Sequence, residues 1–158
     1  MAAGLGGART VCSVDRDSNA LDLATKNWEL NQLEKESHAT LEVDVFEWLQ
    51  EDKIKYDMVI CDPPSLAKSK KQKDTAINKY IETFSNSANR VNPGGMLCLS
   101  SCSSQINFDD FYEILKQSLS KSRRRGKVLR FGGQGMDHPF PHALPEMRYL
   151  KFIALKLD

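Results

Sequence analysis

At 158 residues the chain has the length of one domain, and with 41% hydrophobic and 27% charged residues its composition is that of a soluble globular protein able to build a core. The formal net charge is +1, from 22 Lys plus Arg against 21 Asp plus Glu, so overall charge supplies no reason to expect a nucleic-acid partner. No charged-then-apolar leader and no apolar run near ~18 residues is present, which speaks against a signal peptide or a membrane span and sets a soluble, cytoplasmic expectation.

The four cysteines, Cys12, Cys61, Cys98 and Cys102, form no Cys-x-x-Cys pair and have no histidine at metal-ligand spacing, so no zinc or other metal site is expected. Cys12, Cys61 and Cys98 lie in apolar, strand-like runs, where cysteine behaves as a small buried hydrophobe in a reducing compartment.

Taken in order, Met1–Ala8 is small and glycine-rich and reads as the tail of a helix ending in a turn, with more chain expected upstream. Val11 to Val14 is a strand that stops on Asp15. Asp17 or Ser18 can cap a following helix whose apolar positions Ala20, Leu21, Ala24 and Trp28 recur at helical spacing. An acid at such a strand end holds a nucleoside ribose in dinucleotide-type folds, or is a solvated residue at a helix start. Thr40–Val45 alternates as a strand through Asp44, and a short helix through Trp48 and Leu49 follows. Met58 to Cys61 is an apolar run expected to be a fully buried strand, and it ends on Asp62-Pro63-Pro64. Neither proline donates an N–H, so the turn is stiff and sits at the sheet edge where ligands gather in open α/β folds.

Ile77, Tyr80, Ile81, Phe84, Ala88 and Val91 step by three and four as one amphipathic helix, which Asn92-Pro93-Gly94-Gly95 is expected to end. Met96 to Leu99 is the next strand and runs into Ser100-Ser101-Cys102-Ser103-Ser104. Phe108, Phe111, Tyr112, Leu115 and Leu119 mark another helix, Val128–Phe131 a strand, Gly132–Gly135 a loop, and Tyr149–Leu157 a closing strand. Two basic runs, Lys68, Lys70, Lys71 and Lys73, then Lys121, Arg123, Arg124, Arg125 and Lys127, are solvated surface or polyanion contacts; the first directly follows the Asp-Pro-Pro turn. Strands alternating with helices at this spacing give an α/β fold with a mostly parallel sheet and helices on both faces.

Three acids, Asp15, Asp44 and Asp62, thus end successive strands, and a serine-flanked cysteine ends the next. This order resembles the Rossmann-like class of S-adenosylmethionine-dependent methyltransferases. Within that class, Cys61–Lys70, Asn92–Gly95, Ser101-Cys102-Ser103, Asp137-His138-Pro139 and Pro145-Glu146 with Tyr149-Leu150-Lys151 resemble the 23S ribosomal RNA cytosine-5 methyltransferases of the large-subunit methyltransferase I type. The resemblance implies S-adenosyl-L-methionine as cofactor and ribosomal RNA as substrate. Asp15 would bind the cofactor ribose, Asp44 the adenine amine with Val45 or Phe46 packing the ring, and Asp62 with Pro63 would lie between cofactor and base. Pro64, Lys68, Lys70 and His138 would face RNA, and Cys102 would be the nucleophile. Relative to that family the chain looks shortened: a first strand, its glycine-rich cofactor loop and a PUA-type RNA-binding domain would precede Met1.

Carbon 5 of cytosine is a poor nucleophile, so its methylation needs prior thiolate attack at carbon 6, and Cys102 follows a strand on the active edge among hydroxyls that can donate to that thiolate. Asp62 can share a proton with the N3 edge of the base. The target base must be unpaired or flipped out to be reached. Cys102 is otherwise a buried strand-end cysteine, His138 a turn histidine, and Glu146 and Lys151 surface or intrastrand residues. Two other functions fit parts of this pattern. One is transfer to an exocyclic base nitrogen, which needs no cysteine and usually places an aromatic where Ser65 stands. The other is an inactive RNA-contacting or dimerising fragment, in which open sheet edges favour a homodimer.

Overall fold

The computed structural model describes residues 1–51, 53–67, 69–144 and 147–158. The chain divides into two compact units, Met1–Asp52 and Lys53–Asp158, each taken by itself below. Lys68, Pro145 and Glu146 lie outside the described residues.

The first unit runs α1 (Ala2–Leu5), β1 (Val11–Asp15), α2 (Ser18–Leu30), β2 (His38–Glu42) and α3 (Val45–Glu51). β1 and β2 pair in parallel, in register from Val11 opposite His38 to Asp15 opposite Glu42. Asp17 caps α2 by accepting from the Asn19 N–H at 3.0 Å, because its extended backbone leaves the carboxylate free to meet an orphan N–H of the first turn. Leu21 and Trp28, two turns apart, are the buried residues of α2, while Ala20 is exposed and Ala24 half-buried, a narrower face than the apolar spacing predicts. Trp28 stacks on His38 with ring centroids 4.6 Å apart and donates from Nε1 to the Glu34 carbonyl at 2.9 Å. Burial lowers the pKa of His38, whose Nε2 is 3.0 Å from Ser13 Oγ.

The strand expected at Thr40–Val45 lies two to three residues earlier, and Val45 opens a helix instead. The cause is Asp44, whose Oδ1 accepts the Phe46 N–H at 2.8 Å and the Glu47 N–H at 3.3 Å. An aspartate serving the first free N–H groups of a helix stops the strand before it.

The second unit runs β3 (Tyr56–Cys61), α4 (Lys73–Asn89), β4 (Val91–Ser101), α5 (Phe108–Lys121), β5 (Gly126–Gly132) and β6 (Lys151–Leu157). Its sheet order is β3-β4-β6-β5, with β3 and β4 parallel and β6 antiparallel to both neighbours, so β3, β4 and β5 run one way and β6 alone is reversed. The mostly parallel, Rossmann-like α/β expectation is met. α4 and α5 pack on the sheet face that carries Val59, Leu97, Leu99, Ile153 and Leu155, and Tyr80, Phe84 and Phe111 close a continuous core. Asn107 starts α5 with a reciprocal cap: its Oδ1 accepts the Asp110 N–H at 2.8 Å while Asp110 accepts the Asn107 N–H at 3.0 Å.

Three expectations need correction here. Met58–Cys61 is a strand but not a fully buried one: Met58 is 44% and Ile60 63% exposed. β3 is an edge strand of its sheet, and only its alternate residues Val59 and Cys61 face the helices. Asn92-Pro93-Gly94-Gly95 does not terminate the helix, which ends at Asn89, but lies inside β4. There it makes a bulge, since Tyr56 pairs with Val91 and Met58 already with Met96. Gly94 takes φ +77°, and a Cβ on Gly95 would lie 2.7 Å from the Asp57 carbonyl oxygen, so both positions need glycine. The closing strand starts at Lys151 rather than Tyr149.

One residue of the second basic run is structural. The Arg124 guanidinium donates to the carbonyls of Ala88 at 3.0 Å and Val91 at 2.8 Å and to the Asp158 backbone, tying the end of α4 to the end of β6.

Candidate active site

In the first unit the two predicted acids share one edge. Asp15 ends β1, and its carbonyl accepts the Val43 N–H at 3.0 Å just beyond β2, which brings the start of the Asp44 turn beside it. Asp15 Oδ1 accepts the Asp17 N–H at 3.0 Å. Asp15 therefore spends one oxygen on one local N–H and Asp44 one oxygen on two, and among the described residues neither second oxygen has a hydrogen-bond partner. Asp15 is exposed; Asp44, Val45 and Phe46 are half-buried. This edge offers two anionic acceptors beside a partly apolar wall, suited to hydroxyl or amine donors.

In the second unit, β3 and β4 deliver Asp62 and Cys102 to adjacent points. Cys61 pairs with Leu99, so Asp62 leaves β3 level with Ser100, whose hydroxyl donates to Asp62 Oδ1. Cys102 is the second residue beyond Ser100, half-buried and unoxidised. Pro63 is buried and Pro64 exposed. Burial pushes the Cys61 thiol up to about 11, with the neighbouring Asp62 adding to the rise, which makes Cys61 inert.

The two loops are fastened together by one hydroxyl. Ser103 Oγ accepts the N–H of Leu66 at 3.1 Å and of Ala67 at 3.3 Å, lies 2.9 Å from the Tyr80 hydroxyl and 3.2 Å from Ser65 Oγ. Ser101 donates to the Tyr80 hydroxyl at 3.0 Å. The Ser101 and Ser103 hydroxyls are thus engaged with α4 and with the loop after Pro64.

Beneath the same loop, the buried Lys151 donates from Nζ to the Ser103 carbonyl and the Tyr149 carbonyl, both at 2.6 Å. Its burial was not legible in the sequence, where it reads as a surface or intrastrand residue. His138 lies in the 133–150 segment between β5 and β6, with its Nε2 3.0 Å from the Tyr149 hydroxyl and its backbone N–H donated to Gly135 at 3.1 Å. Lys70 is exposed in a short 3-10 turn ahead of α4, and Lys68 lies outside the described residues. Among the described residues no cluster of three His, Cys, Asp or Glu side chains is placed to hold a metal ion, and no helix is long and apolar enough to cross a membrane.

Acids at the ends of parallel strands, a stiff Asp-Pro-Pro turn and an α/β sheet whose one reversed strand lies between two parallel ones define a Rossmann-like methyltransferase fold. Residues 2–132 match the model of the family described as Methyltransferase small domain, and the chain belongs to that family. A ribosomal RNA large subunit methyltransferase of Deinococcus radiodurans is 36% identical over 156 residues, covering 97% of this chain and 38% of that relative. Ribosomal RNA large subunit methyltransferase I of Aeromonas hydrophila is 34% identical over 154 residues, covering 96% and 39% respectively. The chain thus spans well under half the length of these relatives. Among solved structures, SMU.776 complexed with SAH matches at a TM-score of 0.83 and 23% identity over 98% of this chain and 41% of that one. A methyltransferase homolog from Pyrococcus horikoshii matches at a TM-score of 0.65 and 13% identity, over 94% of this chain and 52% of that one. At such identities these two likenesses concern the fold.

Proposed function

We propose that this chain acts in S-adenosylmethionine-dependent methylation of large-subunit ribosomal RNA, forming 5-methylcytosine through a covalent adduct with Cys102. The observation that carries the reading is the pairing of Asp62 and Cys102 on the carboxyl ends of adjacent parallel strands, joined by the Ser100–Asp62 hydrogen bond and the Ser103 hub. The ribosomal RNA relatives support the substrate class. Residues 1–158 are assigned to the methyltransferase domain, working in the cytoplasm.

The acid pair of the first unit fits the cofactor: Asp15 would accept from ribose hydroxyls and Asp44 from the adenine amine, each through its unused oxygen, with Val45 and Phe46 against the ring. When bound, the cofactor supplies an electrophilic methyl group on a sulfonium. The chain's own residues do the rest. Cys102 adds its sulfur to carbon 6 of the cytosine, the ring π electrons move to carbon 5, and that carbon takes the methyl group. The carbon 5 proton then passes to solvent water, its electron pair re-forms the carbon 5–carbon 6 double bond, and the sulfur leaves carbon 6 as a thiolate. Asp62, held by Ser100, shares a proton with the N3 edge while the adduct stands. Pro64, Lys68, Lys70 and His138 receive the flipped base and its phosphates.

Calorimetric titration of the 158-residue chain with S-adenosylmethionine tests the cofactor half of this reading. Saturable binding that Asp15→Ala weakens tenfold or more is expected, about the loss of one charge-assisted hydrogen bond. A well-folded chain that takes up none, or an Asp15→Ala variant that binds equally well, would contradict it.

A further inference from the structure

Lys151 is the one buried lysine named above, 1% exposed, and its ammonium meets two carbonyl oxygens. Among the described residues no carboxylate lies within ion-pair distance of it; Asp110 of α5, which favours its charge, is engaged by Lys73 at 2.7 Å. A buried cation held only by dipoles is costly. The ammonium grips the carbonyl of the residue directly after Cys102, on the strand that pairs Lys151 with Ser101.

We propose that Lys151 is a positioning residue that sets the Cys102 loop and provides the positive charge that favours its thiolate. The inference rests on Cys102 being the nucleophile. Lys70 is exposed, and a buried ammonium is screened far less than a surface one. The geometry gives one side chain two tasks. Its N–H groups fix the Ser103 carbonyl, and so the turn that presents the sulfur. Its charge sits on the carbonyl of the residue after Cys102, where it would support a thiolate whose proton passes to solvent.

Burial works against the ammonium and brings its pKa down to about 8, while Cys102, in the loop after β4, and Asp110, on α5, favour its charge. Lys151 is therefore charged at neutral pH and loses the charge as pH rises through that value. Thiolate support should fade over the same range.

The test follows iodoacetamide alkylation of the Cys102-containing peptide by mass spectrometry, across about pH 6 to 10, in the wild-type chain, Lys151→Met and Lys151→Arg. Lys151→Met is expected to slow alkylation at neutral pH by about three- to tenfold and to move its onset to higher pH, with Lys151→Arg recovering part of the loss. Alkylation of Lys151→Met at the wild-type rate and pH would overturn the proposal. Should Lys151→Met not fold, the coupling can be read from its other end, because it is reciprocal. NMR titration of labelled lysine in Cys102→Ser should show Lys151 losing its proton at lower pH than in the wild type, and an unmoved titration would overturn the proposal equally. Neither readout needs methyl transfer. A Cys102→Ala chain that still methylates RNA would sink the catalytic reading and leave this coupling measurable.

Discussion

Ser103 presents one hydroxyl to four neighbours, two of them backbone N–H groups of Leu66 and Ala67 that have to be satisfied once the loop folds inward. At this scale the site is a set of small commitments: Ser100 to Asp62, Ser101 to Tyr80, Ser103 to the loop, Lys151 to the Ser103 carbonyl. Removing the Ser103 hydroxyl leaves buried donors unpaired, so Ser103→Ala should cost about 1–3 kcal/mol in urea unfolding. It should also lower kcat more than it raises KM, since it loosens the turn rather than a substrate contact. A variant as stable and as active as wild type would show the hub to be unimportant. Lys151 adds a pH term whose sign is fixed. Its folded pKa, about 8, lies below the ordinary lysine value of 10.5, so between those values the unfolded chain binds more protons than the folded one. Lys151 therefore penalises stability fully below about pH 8, and the penalty lifts as pH rises toward 10.5. Unfolding of wild type against Lys151→Met should show the wild type gaining relative stability over that range. A constant difference would mean that the burial of the ammonium is relieved in solution.

At the scale of elements, β3 decides how far the apolar pattern can be trusted. Its run Met58 to Cys61 looks like a core strand, yet Ile60 is 63% exposed. Ile60→Thr should change stability by no more than about 0.5 kcal/mol, whereas a core isoleucine there would cost 2 kcal/mol or more. Denaturant midpoints of the two chains separate these outcomes. The strand ends were legible because each apolar run stops on an acid, and Asp15, Asp44 and Asp62 do lie at or just past the ends of β1, β2 and β3. The α5 cap was not read, although Asn107 and Asp110 have the spacing for it. The glycine-rich bulge in β4 was taken for a helix stop, since proline and glycine signal both and only the close approach of Gly95 to the Asp57 carbonyl tells them apart. The Ser103 contacts with Tyr80 and Ala67 and the Lys151 contact with Ser103 join residues 23 to 48 positions apart, which local pattern cannot reveal.

On the scale of the whole molecule, the two units are built on cores of very different size. Leu21, Trp28 and Leu49 are the buried hydrophobic residues described in the first unit, against the continuous cluster from Cys61 to Leu157 in the second. Both tryptophans, Trp28 and Trp48, belong to the first unit, so their fluorescence reports on it. Tryptophan fluorescence should lose its native signal at lower denaturant than far-UV circular dichroism, and coincident transitions would show one cooperative fold. Family membership holds for the chain as a whole, while the chemistry proposed for it turns on one sulfur atom. The most direct measurement is covalent capture on ribosomal RNA carrying 5-fluorocytidine, in the presence of S-adenosylmethionine, because fluorine at carbon 5 blocks release of the adduct. The account predicts an RNA–protein species that survives denaturation, maps to Cys102 and is absent from Cys102→Ala. Absence of that species, with Cys102→Ala still methylating ordinary ribosomal RNA at the wild-type rate, would contradict it.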